Sequence, residues 1–105
     1  MEFEKYKIVV FVPESHADVV REAMASAGAG VIGNYSNCTF SSKGIGRFKP
    51  LEGAHPHIGS VGDLEEVNEE RIETVCPSSA LHDVIAAIKF AHPYEEVALD
   101  VYPLI

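Results

Sequence analysis

The chain has 105 residues, of which 47% are hydrophobic and 23% charged, and its 16 acidic and 8 basic residues give a formal net charge of −8. This size and composition predict a single globular domain with a hydrophobic core of its own. The negative charge argues against nucleic acid and anionic membranes as partners, and no apolar run approaches the ~20 residues of a membrane-spanning helix.

The N-terminal part of the chain predicts a buried strand followed by a helix. Residues 6–12 form a nearly continuous β-branched and aromatic run, which is typical of a strand covered on both faces, and Pro13 ends it. Ser15 then offers an N-cap, and Gly28 and Gly30 stop the helix. The apolar stripe of this helix has helical spacing and comprises Val19, Val20, Ala23, Met24 and Ala27.

The rest of the chain predicts three further strands and one helix. The strands are expected at residues 35–41, 69–76 and 97–102, and the glycine- and proline-rich stretch 42–62 separates the first two. Pro77-Ser78-Ser79 begins a helix that His92-Pro93 ends, because the residue before proline disfavours the α conformation. Its apolar positions i, i+3, i+4 and i+7 are Leu81, Val84, Ile85 and Ile88.

The order βαββαβ predicts a ferredoxin-like α+β fold, with one four-stranded antiparallel sheet and two helices on one of its faces. We expect an extra hairpin after the second strand, within the long stretch 42–62. The face without helices is expected to carry Tyr, Val and Leu side chains. An apolar face of this kind predicts an oligomer in which sheet packs against sheet.

The richest chemistry lies between His92 and Glu96, where an imidazole, a phenol and two carboxylates stand at a helix-to-strand junction. In one interpretation, His92 with Glu95 or Glu96 binds a divalent metal such as zinc or copper, or Tyr94 stacks on a ligand. In the other interpretation the motif is structural. The helix dipole then favours a protonated His92, and the glutamates pair with Arg47 or Arg71.

Other polar residues carry weaker signals. His55 and His57 point to the same side of an extended segment, but two histidines do not complete a metal site. Cys38, on a predicted strand, has no neighbouring base and is expected to behave as a small hydrophobe, and Cys76 is treated likewise. Lys43, Arg47 and Lys49 form the basic cluster, expected at a solvated loop tip that could receive one small anion.

The compartment follows from the N-terminus and the cysteines. Residues 1–5 are acidic and contain no basic segment followed by an apolar one, so we expect no secretory signal. Two cysteines, Cys38 and Cys76, are too few and too far apart for a disulfide scaffold. A cytoplasmic location is therefore the expectation.

Several motifs together resemble a known family. The chain is similar to a free-standing copy of the insert domain of the Nif-three-like proteins, the GTP cyclohydrolase I type 2 homologues, over almost its whole length. The motifs that carry the resemblance are Gly33-Asn34-Tyr35 with Cys38 and Phe40, Gly46-Arg47-Phe48-Lys49-Pro50, Glu52-Gly53-Ala54 with Pro56 and Ile58-Gly59, Val67, Glu70-Arg71-Ile72-Glu73, and His92-Pro93-Tyr94-Glu95-Glu96-Val97-Ala98.

This resemblance implies a fold like that of CutA and PII signalling proteins, which are trimers. PII proteins bind nucleotides between subunits, so the fold analogy also implies a ligand near residues 44–49. The dinuclear metal site of full-length family members lies on flanking segments that this sequence lacks. Neither that site nor a hydrolase activity is therefore carried over.

The sequence thus leads to three hypotheses. The first is a non-enzymatic, regulatory, trimeric module that binds a small ligand or divalent metal at subunit interfaces. The second is a purely structural oligomerisation or protein-interaction domain, and the third, least supported, is a metal-dependent hydrolase, since no catalytic triad, carboxylate pair or Cys-x-x-Cys motif is visible. The predicted metal ligands are His92, Glu95 and Glu96, and the wider ligand-binding set adds Asn34, Tyr35, Cys38, Arg47 and Tyr94.

Overall fold

The computed structural model describes residues 3–105, so Met1 and Glu2 of the acidic N-terminus lie outside the described residues. Short 3-10 turns, Glu14–His16 and Ser78–Ala80, lead into the two helices. The elements in chain order are β1 (Lys5–Pro13), α1 (Ala17–Ser26), β2 (Phe40–Phe48), β3 (Glu65–Pro77), α2 (Leu81–Ala91) and β4 (Leu99–Leu104). Within the described residues, no helix is long and apolar enough to cross a membrane.

The four strands form one antiparallel sheet in the order β2-β3-β1-β4, which confirms the predicted ferredoxin-like fold. In the register of β1, Val10 lies opposite Ile72 of β3 and opposite Leu99 of β4. The most apolar strand is therefore a central one, as its near-continuous hydrophobic sequence predicted.

Both helices cover the same face of the sheet and enclose the core there. Alternate residues of β1, namely Ile8, Val10 and Val12, are fully buried against this layer. Val20 and Met24 of α1 and Val84 and Ile88 of α2 are also fully buried, which confirms the helical spacing of both apolar stripes. Val19, included in the predicted stripe, is instead 50% exposed.

The second strand is the main error of the sequence prediction. Residues 35–39 do not belong to it: Ile32 and Tyr35 form an isolated bridge, and Asn37 has a positive φ of 59°. The strand lies at Phe40–Phe48, so it shares only residues 40–41 with the predicted strand and otherwise runs through the stretch 42–62 that was predicted to be a loop. A sheet edge tolerates its glycines, and charged cross-strand neighbours such as Arg47 and Glu66 support it.

Other predicted boundaries shift by smaller amounts. The third strand begins at Glu65, so β2 and β3 themselves provide the predicted hairpin extension, and residues 49–64 between them contain no further strand. The last strand begins at Leu99, after an irregular segment 92–98. Ser15 does not cap α1, because its hydroxyl bonds with Nδ1 of His16, 2.8 Å away.

The face without helices is more polar than expected. Leu99 packs on the helix side, while Val9 and Tyr102 lie on the open side of the sheet. Lys7 and Arg71 both approach Glu73 there, at 3.8 and 3.3 Å. Phe40, paired with Glu73 across β2 and β3, is 68% exposed at one edge, and Tyr102 is 48% exposed at the other.

A part-buried ion pair links α1 to the sheet and gives a stability prediction. Arg21 donates to Glu70 at 2.6 Å, and these two side chains are only 27% and 13% exposed. Arg21→Ala is expected to lower the free energy of unfolding by about 1–2 kcal/mol, because the Glu70 carboxylate loses its partner. Lys43→Ala, which removes a 4.0 Å contact to Glu14 between exposed side chains, is expected to change it by less than about 0.5 kcal/mol. Urea denaturation of both variants measures the difference.

Candidate functional site

A cavity of about 610 Å³ opens where the end of β2, the 49–64 segment and the 92–98 segment meet. Its walls combine apolar and aromatic side chains with a few charged ones. The lining residues are Phe11, Ile45, Gly46, Arg47, Phe48, Lys49, Pro50, Leu51, Ala54, Pro56, His57, Ile58, Glu69, Tyr94, Glu95, Glu96 and Ala98. A largely apolar hollow with a small number of convergent polar groups is the usual form of a small-molecule site.

His92 fixes the start of the 92–98 segment. It ends α2 in an extended conformation, with φ −75° and ψ 137°, and is only 5% exposed. Its Nε2 lies 2.7 Å from the carbonyl oxygen of Phe11, and its Nδ1 accepts the N–H of Tyr94 at 3.1 Å. A carbonyl only accepts and an amide N–H only donates, so the proton is on Nε2 and the ring is neutral.

The side chain of His92 continues the hydrogen bonding of β1 at the point where β4 has not yet begun. The N–H of Phe11 donates to the carbonyl of Ala98, just before β4 begins. The carbonyl of Phe11 then receives the imidazole of His92. Burial lowers the pKa of His92, although this hydrogen bond and the nearby Glu69 act in the opposite direction. The sequence expectation of a protonated His92 favoured by the helix dipole is therefore wrong.

Tyr94 and Glu69 form the polar centre of the cavity. The hydroxyl of Tyr94 donates to Oε2 of Glu69 at 3.0 Å, and Glu69 is only 8% exposed. Burial, reinforced by the Glu69 carboxylate, raises the pKa of the Tyr94 phenol well above its ordinary value, so the phenol stays protonated. The ring of Tyr94 lies edge-on to Phe48, with 5.7 Å between centroids.

Glu95 connects the 92–98 segment to the 49–64 segment. Its Oε1 accepts the backbone N–H of His55 at 2.8 Å. The neighbouring His57 places its ring 6.3 Å from that of Tyr94 and 5.8 Å from that of His16. The glutamates thus do not pair with Arg47 or Arg71 as suggested from sequence, because Arg47 lies 3.3 Å from Glu66 and Arg71 3.3 Å from Glu73.

The structure divides the predicted ligand-binding residues into two groups. Arg47, Tyr94, Glu95 and Glu96 line the cavity, and the ring of His92 packs against that of Tyr94, tilted by 58° with 4.9 Å between centroids. Lys43 and Arg47, expected at a loop tip, lie on β2. Asn34, Tyr35 and Cys38 precede the other end of β2 and do not line the cavity.

Cys38 is held there by backbone contacts: its N–H donates to Gly30 and its carbonyl accepts from the hydroxyl of Thr74. These bonds place it beside Gly30 and β3 rather than beside the cavity. The sequence prediction did not separate Cys38 from the cavity, because it placed the second strand at residues 35–41 instead of Phe40–Phe48.

The geometry bears on the predicted metal ligands. Across residues 3–105, no group of three or more His, Cys, Asp or Glu side chains is arranged to hold a metal ion. Both ring nitrogens of His92 already make hydrogen bonds. A metal at His92, Glu95 and Glu96 stays a prediction, and it would require His92 to exchange these bonds for a coordination bond.

Sequence reasoning missed the central carboxylate. Glu69 stood at the beginning of a predicted strand rich in glutamates, where nothing distinguishes it from Glu66, Glu70 or Glu73. The only usable signal was alternation, which puts Glu69 on the side of the sheet opposite Glu70 and Ile72. Its burial depends on Tyr94 and on β2, which are distant in sequence.

Comparison with known proteins shows which sequences and folds this chain resembles. The chain is 59% identical, over 94% of its length, to the GTP cyclohydrolase 1 type 2 homolog of Halalkalibacterium halodurans, and 57% identical over 93% to that of Bacillus subtilis. The chain is similar in sequence to one segment of these GTP cyclohydrolase 1 type 2 homologs. It spans about a quarter of their length, 27% and 26% respectively. No protein-family model matches the chain.

Solved structures agree with this assignment. A Bacillus cereus protein related to NIF3 superposes with a TM-score of 0.83 and 58% identity, covering 97% of this chain and 26% of that one. CutA from Archaeoglobus fulgidus gives a TM-score of 0.68 at 16% identity over 95% of this chain and 83% of its own. Arabidopsis thaliana PII bound to citrate gives a TM-score of 0.62 at 18% identity, covering 98% of this chain and 79% of its own. The last two show a shared CutA/PII-like fold for this segment of the GTP cyclohydrolase 1 type 2 homologs.

Proposed function

We propose that this domain is a non-enzymatic, regulatory binding module that assembles as a trimer and takes a small ligand in the cavity around Glu69 and Tyr94. The observation that supports this most strongly is the convergence of three chain segments on one hollow of about 610 Å³. Its polar centre is a carboxylate that is 8% exposed and accepts a hydrogen bond from the half-buried phenol of Tyr94. Such a built polar group in an apolar hollow is typical of ligand recognition.

The proposed trimer rests on the resemblance to PII and CutA proteins and on the open sheet face. Phe40 is 68% and Tyr102 48% exposed on that face, beside the charged cluster at Glu73. Contact between subunits would cover both aromatic rings. A cytoplasmic location belongs to the same proposal, and it is supported by Cys38 and Cys76, which are both free thiols.

Light scattering after size-exclusion chromatography tests the assembly. At micromolar concentration we expect three times the chain mass of 11.4 kDa. Phe40→Lys is expected to weaken the trimer at least about tenfold, because it removes an exposed aromatic ring from the open face while its ammonium can pair with Glu73 within the subunit. Phe90→Lys, which alters a side chain that is 94% exposed on α2, is the control and is expected to leave the mass unchanged. A monomeric wild-type protein would contradict the proposal.

The helix layer supports a second candidate, a structural or protein-interaction domain. An apolar groove between α1 and α2 is lined partly by Val19, Ala23, Ala27 and Phe90. If Phe90→Lys rather than Phe40→Lys changes the assembly, the helix face is the interface and this second candidate is favoured. The metal alternative is tested on the same samples, because stoichiometric zinc or copper that is lost in Glu96→Gln would support it.

A further inference from the structure

We infer that the cavity recognises an organic cation: an amidinium, guanidinium or ammonium group on a flat apolar body, with its charge directed at Glu69. This inference rests on the proposed function and names the chemical class of the ligand. Four features carry it, namely the unpaired state of Glu69, the engagement of nearby cations elsewhere, the aromatic walls, and the space left by Gly46.

Among the described residues 3–105, no lysine, arginine or histidine forms an ion pair with the buried carboxylate of Glu69. It is 8% exposed, and the Tyr94 hydroxyl donates to its Oε2 at 3.0 Å. Among residues 3–105, the lysine, arginine and histidine nitrogens within 4.0 Å of a carboxylate all belong to other pairs. A carboxylate removed from water needs charge compensation, and one hydrogen bond from a phenol supplies only part of it.

Two arginines on β2 and β3 are engaged with other carboxylates. Arg71 follows two residues later on the same side of β3, but it pairs with Glu73 and places its guanidinium carbon 6.0 Å from the ring centroid of Phe11. Arg47 pairs with Glu66, and Lys49 is exposed at the cavity wall. Arg47 and Lys49 line the cavity at exposed positions, so the buried charged group of the lining is the carboxylate of Glu69.

The walls suit a flat cation better than a hydrated metal ion or an anion. Phe48 and Tyr94 present rings 5.7 Å apart at 61°, and Phe11 contributes a third ring. Aromatic faces attract cations, and the apolar parts of Leu51, Pro56 and Ile58 can cover a hydrophobic body. Glu95 and Glu96 bring the carboxylates of the lining to three, against the two basic side chains of Arg47 and Lys49, so the lining favours a cationic over an anionic group.

Gly46 determines where the carboxylate can lie. A Cβ at this position would collide with the carboxylate of Glu69, whereas a Cβ at Gly44 on the same strand would meet nothing within 4 Å. The absence of a side chain at Gly46 thus allows Glu69 to lie against β2 beside the cavity. These two glycines provide a matched pair of variants.

Three probes that share one ring but differ in charge test the inference: benzamidine (cationic), benzamide (neutral) and benzoate (anionic). Titration calorimetry, with ligand-observed NMR for weak binding, is carried out on the assembled protein. We expect benzamidine to bind at least about tenfold more tightly than the other two, as a charge-assisted hydrogen bond would give. Glu69→Gln, which keeps the shape and removes the charge, should abolish this preference. Gly46→Ala should weaken benzamidine binding, and Gly44→Ala should not.

The outcomes separate this inference from the proposed function. Benzoate or benzamide binding as tightly as benzamidine would overturn the cation inference and leave a ligand-binding module in place. Absence of benzamidine binding to a trimeric wild-type protein would also overturn it. If Glu69→Gln changes the mass in light scattering while benzamidine binding is unaffected, Glu69 pairs with a cation of a second copy and the inference is wrong. A monomer that binds none of the probes would contradict the proposed function as well.

Discussion

Replacing Gly30 with alanine is expected to lower the free energy of unfolding by about 2–4 kcal/mol, because the substitution combines backbone strain with a steric clash. Gly30 has a positive φ of 82°, which side chains rarely adopt. A Cβ there would lie 2.8 and 2.9 Å from the backbone N and O of Cys38, atoms that cannot rotate away. The N–H of Gly30 also donates to Val75 of β3 at 2.8 Å, so a shift of the backbone would break a sheet contact.

Gly33→Ala is the matched control for this prediction. Gly33 also has a positive φ, of 57°, but a Cβ added to it would meet nothing within 4 Å. Gly33→Ala is therefore expected to lower the free energy of unfolding only by the cost of the left-handed conformation, about 1–2 kcal/mol. Urea denaturation followed by circular dichroism, at one fixed protein concentration because assembly contributes to stability, measures both variants. Equal destabilisation of the two would show that the contact with Cys38 contributes nothing.

Replacing His92 with alanine is expected to cost a similar amount, about 2–4 kcal/mol. The carbonyl of Phe11 would lose its donor, the N–H of Tyr94 would lose its acceptor, and a gap would remain beneath the ring of Tyr94. His82→Ala, at an exposed position in the first turn of α2, is expected to change stability by less than about 0.5 kcal/mol.

The lowered pKa of His92 also determines how the stability of the protein should change with pH. Burial lowers the pKa of His92 in the folded protein below its ordinary value of 6.5, which applies to the unfolded chain. As the pH falls below about 6.5, the unfolded state binds the proton more readily, so stability decreases until the pH reaches the lowered folded pKa. Above about 6.5 this group contributes no pH dependence.

Comparison of variants isolates this contribution. His92→Gln is expected to remove it and to recover part of the stability lost in His92→Ala, because the amide N–H can donate to Phe11. His82→Ala should retain the pH dependence of the wild-type protein. An unchanged slope between pH 5 and 7 in His92→Gln would contradict the assignment.

The second strand shows where local sequence misleads. The β-branched and aromatic content of residues 35–41 favoured a strand, and the glycines after it favoured a loop. In the structure, β2 runs through Gly44 and Gly46, because β3 offers a continuous row of partners from Glu73 to Glu65. Pairing between distant segments outweighs the local preference of single residues. The candidate site was affected by the same error, since Cys38 precedes the first residue of β2 and Arg47 lies near its last.

The sequence by itself determined the order of the elements, the fold, the end of β1 and the end of α2. These follow from periodicity, from Pro13 and His92-Pro93, and from residue types that act over a few positions. Only the tertiary structure decided the roles within the site: Glu69 became its centre, and His92 became a neutral support beneath Tyr94. The physical reason is that burial and hydrogen bonding depend on residues far apart in the chain, such as Phe11 and His92, which a one-dimensional pattern does not bring together.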